Sequence, residues 1–108
     1  MVSKRFKIIF SRKSTQQLKE ISDYVTEAAS LVQAQKVRQG IKKTADDLEY
    51  LPESKPILSG TENMLYNVRY TKKWSYKIIF RILKTTGVVR ILTIRHDKEN
   101  PQDIIGDL

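Results

Sequence analysis

Between Asn63 and His96 the chain carries eight basic side chains (Arg69, Lys72, Lys73, Lys77, Arg81, Lys84, Arg90, Arg95) and no Asp or Glu. Such a run suits anion binding, because like charges repel one another until a polyanion or an acidic partner relieves them. The spacing sharpens the point. Tyr76, Ile78, Phe80 and Ile82 alternate with Lys77, Ile79, Arg81 and Leu83, so a strand here puts Lys77 and Arg81 on one side. If Arg69 of the preceding strand shares that side, a rigid sheet presents a cationic face. The competing reading is that these cations keep the outer face of a half-buried sheet solvated. Trp74, next to Lys72 and Lys73, could stack on a base; equally it could cap a turn or meet a partner. His96, the only histidine, closes the stretch.

Composition excludes several classes of function. The chain has 108 residues, enough for one domain over 1–108 with a single core. It holds no cysteine, so disulfides and thiolate metal sites are ruled out, and one histidine rules out a multi-histidine zinc site. The net charge of +8 fits nucleic acid or an acidic protein as partner. No apolar run approaches the roughly 18 residues a membrane span requires. The N-terminal MVSKRFKIIFSRKS lacks a signal-peptide cleavage site. A soluble, cytoplasmic protein without cofactor or metal is expected.

The elements that must position these residues follow from periodicity. Lys4 to Phe10 predicts a short strand with Phe6, Ile8 and Phe10 facing one way. Ser14 followed by Gln17 resembles a capping box and predicts a helix in which Leu18, Ile21, Val25 and Ala28 recur at helical spacing, with Tyr24 beside them, ending near Ala29. Ser30 caps a second helix with the stripe Ala34, Val37, Ile41, Ala45 and Leu48, closed at Leu51-Pro52. The short connection makes the helices antiparallel neighbours. Gly40 in the second helix costs about 1 kcal/mol relative to alanine and suggests close packing. Asp46, Asp47 and Glu49 form a solvated acidic face. Residues 53–62 are a loop by composition, a plain connector. Three strands follow, the first running from Met64 to Tyr70 with Tyr66 and Tyr70 on its apolar side, and Gly87 supplies the turn between the last two. Beyond His96 the chain is polar, Pro101 bars strand pairing, and Ile104, Ile105 and Leu108 can dock on the core or await a partner. The predicted class is α+β: a two-helix hairpin on one face of a small antiparallel sheet, joined by the N-terminal strand.

This order of elements, with IIFSRKSTQQLKEISDYV, the Leu48–Pro52 helix end, LSG at 58–60, VRY at 68–70, YKIIFRI at 76–82 and VVRILTIRH at 88–96, resembles the RelE/ParE superfamily of bacterial toxins over nearly the whole chain. The resemblance implies the toxin of a type II toxin–antitoxin module, with a cognate antitoxin as partner in a hetero-oligomer and no membrane association. It leaves the target open. RelE-like members are ribosome-dependent mRNA endonucleases, whereas ParE-like members poison DNA gyrase without nuclease chemistry. Metal-free RNA cleavage needs a base, an acid and cations at the phosphorane. Under that reading the catalytic set is Lys77 and Arg69 for phosphate charge and His96 as acid or base, with Lys77 standing where nuclease members carry an arginine. Lys72, Lys73, Trp74, Arg81, Arg95 and Lys98 would contact nucleic acid. Nuclease members tend to end in a tyrosine beyond the last strand; here Asp97 to Asn100 fill that region, and His96 also matches a strand-end histidine common in ParE-like members. The expectation is growth inhibition by mRNA cleavage on the ribosome. The alternatives are a gyrase inhibitor and a non-toxic nucleic-acid-binding module.

Overall fold

The computed structural model describes residues 5–62, 64–106 and 108. The expected start of the first strand at Lys4, and Asn63 at the head of the basic stretch, lie outside the described residues. The chain runs β1 (Lys7–Phe10), α1 (Arg12–Ala28), α2 (Leu31–Asp46), β2 (Val68–Lys73), β3 (Tyr76–Leu83), β4 (Val88–His96) and α3 (Pro101–Gly106), with short 3-10 turns at Asp47–Glu49 and Pro52–Ser54.

The sheet order is β1-β4-β3-β2. β2, β3 and β4 form the expected antiparallel meander, but β1 pairs with β4 in parallel, Lys7 opposite Val88 through Phe10 opposite Ile91. The sheet is therefore mixed rather than wholly antiparallel. The helical hairpin carries the chain from β1 across one face before β2 begins, which leaves the β4 edge open to it.

β1 is only four residues long, so beyond Ile91 no strand among the described residues pairs with that edge of β4. The start of α1 fills the gap. Ser11 donates its N–H to the Ile91 carbonyl at 3.0 Å and its hydroxyl to the Leu92 carbonyl at 3.0 Å. Gln17 Oε1 then accepts from the Ile94 N–H and the Thr93 hydroxyl, both at 2.8 Å. Unpaired strand-edge groups are satisfied by a helix in place of a fifth strand. The expected capping box is displaced accordingly: Ser11 is the N-cap, accepting from the Ser14 N–H, and Gln17 is spent on the sheet. Ser30 caps α2 as expected, accepting from Gln33 N–H at 3.0 Å.

One core lies between helices and sheet. Leu18, Ile41, Ala45 and Leu48 meet Ile78, Phe80, Val89, Ile91 and Ile94 there. The other face carries a second apolar cluster, Leu58, Val68, Ile79 and Ile104, with Met64, Tyr66, Tyr70 and Leu92 packed around it. The 53–62 connector thus takes part in the fold. Ile57 bridges to Arg69, Leu58 N–H bonds the Val68 carbonyl at 2.7 Å, and Leu58 is 5% exposed. The second strand begins at Val68, not Met64, because residues 64–67 turn to cover that face. α3 starts at Pro101, where a missing N–H costs nothing, and buries Ile104. No described helix is long and apolar enough to cross a membrane.

Candidate functional site

The β2–β3 turn decides which cations share a face. Its two residues, Trp74 and Ser75, set Lys73 against Tyr76, so odd positions of β2 oppose even positions of β3. Arg69 therefore faces Phe80 on the helix side, while Lys77 and Arg81 lie with Ile79 on the other. The shared cationic face that would include Arg69 does not form. Arg69 instead donates to the Lys55 carbonyl at 2.6 Å and lines a depression with Glu53, Asn67, Ile82 and Lys84.

His96 shares the helix side with Arg69 but sits opposite Tyr76, at the far end of β3. Four residues along β3 and two strand spacings separate the two backbones, roughly 16 Å. Lys77, Arg69 and His96 are not brought to one point.

Four cations on the second face are held by carboxylates or aromatic rings, while Arg90, opposite Arg81, is exposed. Lys72, Lys77 and Arg95 stand in one row across three strands. Lys72 Nζ lies 3.3 Å from Asp97, and the Lys77 ammonium sits 5.3 Å from the Tyr70 ring centre. Arg95 bonds Glu99 at 2.9 Å and the Thr93 hydroxyl at 3.1 Å, with its side chain 19% exposed. Arg81 stacks 3.8 Å over Tyr66, and its Nε is buried without a hydrogen-bond partner among the described residues. Tyr66 and Tyr70, expected in the core, pack half-buried against the second apolar cluster and also carry these cations.

Two arrangements remain accessible. The first is a cleft of about 430 Å³ at the open end of β4, lined by Gln17, Glu20, Tyr24, Tyr76, Arg95, His96 and Glu99. The Tyr76 and His96 rings meet edge to face at 5.8 Å. His96 Nδ1 accepts from the Lys98 N–H at 3.2 Å, which places the proton of the neutral ring on Nε2; Asp97 Oδ1 is 3.5 Å from the same Nδ1. Burial raises the Tyr76 phenol above its usual 10.0, and Tyr24 beside it pushes the same way. Tyr24, Glu20 and Glu99 were not among the expected site residues. Tyr24 alone offered a signal, as an aromatic beside the α1 stripe.

The second is Trp74. It occupies the left-handed region at φ 52, which costs a non-glycine residue about 1–2 kcal/mol. Its indole lies on Gly40 of α2: a β-carbon there would come within 2.3 Å of Trp74 Cη2. The expected close packing at Gly40 is this contact. Lys73 Nζ sits 4.6 Å from the ring centre. Of the residues expected to touch nucleic acid, Lys73 and Trp74 are thus together, Lys72 and Arg95 are paired to carboxylates, Arg81 is stacked on Tyr66, and Lys98 is exposed beside His96.

Residues 8–101 match the model of the ParE toxin of the type II toxin–antitoxin system, parDE. No curated protein sequence matches the chain. Among solved structures, the chain is similar to a chromosomal ParDE toxin–antitoxin system from P. aeruginosa, with 20% identity and TM-score 0.70 over 87% of this chain and 98% of that one. It is similar to the RelE–RelB complex of Pyrococcus horikoshii, at 14% identity and TM-score 0.60 over 89% and 99% of the two chains. The RelBE2 complex of Mycobacterium tuberculosis aligns at 16% identity and TM-score 0.57, over 88% and 94%. At these identities the likeness is one of fold.

Proposed function

This chain belongs to the ParE toxin family of type II toxin–antitoxin systems, and on that premise we propose that it arrests growth by binding DNA gyrase through its surface, without cleaving RNA. One observation carries this choice over mRNA cleavage: the three side chains that metal-free cleavage would need together, Lys77, Arg69 and His96, are separated onto two faces and two ends of the sheet. A base, an acid and a phosphorane clamp act only within reach of one phosphate. A protein-binding toxin has no such requirement.

An antitoxin partner is part of the same reading, supported by the likeness to solved toxin–antitoxin complexes. A chain of net charge +8 suits an acidic segment that folds against it. The mRNA reading keeps one observation in its favour, since His96, Tyr76 and Arg95 line a common cleft.

The test pairs two assays on purified protein. Wild type, Lys77→Ala and His96→Ala are each added to a gyrase supercoiling reaction and to a ribosome translating a defined mRNA. The proposal expects all three to inhibit supercoiling and none to cut the mRNA. Cleavage by wild type that disappears in His96→Ala, with supercoiling untouched, overturns it.

A further inference from the structure

Trp74 and Gly40 each depart from local preference, and both departures serve the same ring. The first position of this turn is left-handed, where glycine is favoured, yet it holds the chain's one tryptophan. The middle of α2 disfavours glycine, yet Gly40 leaves bare backbone where a β-carbon would come within 2.6 Å of two indole carbons. A ring required by the core would be enclosed. This one keeps 53% of its surface exposed, while Ile78 and Phe80 beneath the helices are wholly buried. An unfavourable backbone maintained around an exposed aromatic points to use of that aromatic.

The surroundings indicate what it meets. Lys36 and Lys43 lie one turn to either side of Gly40, and Lys73 stands over the ring. Lys36 and Lys73 form no ion pair with any described residue, whereas Lys43 shares an exposed one with Asp47 at 3.5 Å. Four residues before Lys36, Val32 is 75% exposed, with Leu31 beside it at 61%. Single-stranded nucleic acid is held by successive aromatic platforms along a groove. Here a tryptophan, the residue type most typical of protein-interface anchors, is bordered along α2 by exposed aliphatic side chains and by lysines that set the charge of the surface it fits.

We propose that Trp74, set on Gly40 and flanked by Lys36 and Lys73, is the anchor through which the chain grips an acidic protein surface, an apolar pocket receiving the indole and carboxylates meeting the two lysines. The proposal deepens the gyrase reading and rests on it, with gyrase as the protein that offers that surface.

The test uses the full chain labelled with 5-fluorotryptophan, which gives a single 19F resonance because there is one tryptophan. Added gyrase shifts or broadens that resonance; a single-stranded oligonucleotide at equal concentration leaves it unchanged. Trp74→Gly removes the ring and relieves the backbone, so it keeps its cooperative thermal unfolding while losing at least tenfold in inhibition of supercoiling. Lys36→Glu combined with Lys73→Glu loses inhibition with the ring in place. If wild type inhibits gyrase and Trp74→Gly does so within twofold, the anchor is refuted and the gyrase reading stands. A resonance that responds to the oligonucleotide and not to gyrase assigns the platform to nucleic acid and overturns the proposal. A wild type that leaves gyrase untouched removes both.

Discussion

The two faces of the sheet are apolar at their centres, yet they are closed in different ways. On one, α1 and α2 lay regular stripes over Ile78, Phe80 and Ile91. On the other, a loop and a six-residue helix cover Ile79 and Val68 with Leu58 and Ile104. Around that second cluster stand Lys72, Lys77, Arg81 and Arg95, each engaged by a carboxylate or an aromatic ring, with Arg90 exposed opposite Arg81. On the helix-side surface Lys36 and Lys73 form no ion pair with any described residue, and the ring that Lys73 stands over is an exposed indole. A density of positive charge in sequence therefore does not mark a binding face. What marks one here is an exposed aromatic beside lysines that have no carboxylate partner among the described residues.

The second core is closed as tightly as the first. Ile78 and Ile79 are neighbours in β3, fully buried on opposite faces. Each Ile→Ala substitution is expected to cost about 2–5 kcal/mol in denaturant unfolding, because both leave cavities in closed cores. A cost below about 1 kcal/mol at Ile79 alone would mean that its face is open.

A smaller effect tests whether the cations of that face are structural. A double-mutant cycle on Arg81→Met and Tyr66→Leu should give a coupling of about 0.5–2 kcal/mol, the range for a cation held over a ring and partly removed from water. Zero coupling would free Arg81 for an outside partner. Smaller still is the Lys72–Asp97 pair, with side chains 48% and 26% exposed. Lys72→Ala should cost at most about 1 kcal/mol and less at high salt. A larger loss would give this exposed pair a weight the structure does not suggest.

The smallest effect belongs to the cleft. The Tyr76 phenol has its pKa raised by burial and then by Tyr24, so the folded state holds this proton more tightly than the unfolded state does. Its contribution is fully present below the usual 10.0 and is lost as pH rises through the folded value. Unfolding free energy should therefore fall more steeply above pH 10.0 in wild type than in Tyr76→Phe. Equal slopes would show that the phenol is not desolvated.

Much of the helix side was legible because periodicity encodes it: the α2 stripe through Ala45, the Ser30 cap and the Gly87 turn stand as expected, Gly87 at φ 69, while α2 ends at Asp46 and Leu48 reaches the core from the 3-10 turn that follows. The parallel partner of β1 was not, since four residues of strand carry no mark of which neighbour they will join. The second core was hidden for a related reason. Leu58 and Ile104 come from an irregular loop and a short helix, where burial leaves no period to detect. Lys77 and Arg81 were legibly on one side by alternation alone. The side taken by Arg69 depended on a two-residue turn built on a tryptophan, in a place where sequence signals call for glycine or asparagine. Gly40 and Trp74 are each locally unfavourable, and only their contact explains them.

The most direct test is a short induction of the chain in bacteria, wild type beside His96→Ala, with mRNA ends and gyrase-trapped DNA breaks mapped in the same cells. Binding through a surface predicts DNA breaks and intact mRNA in both strains. New mRNA ends within translated frames, present in wild type and absent in His96→Ala, would contradict it.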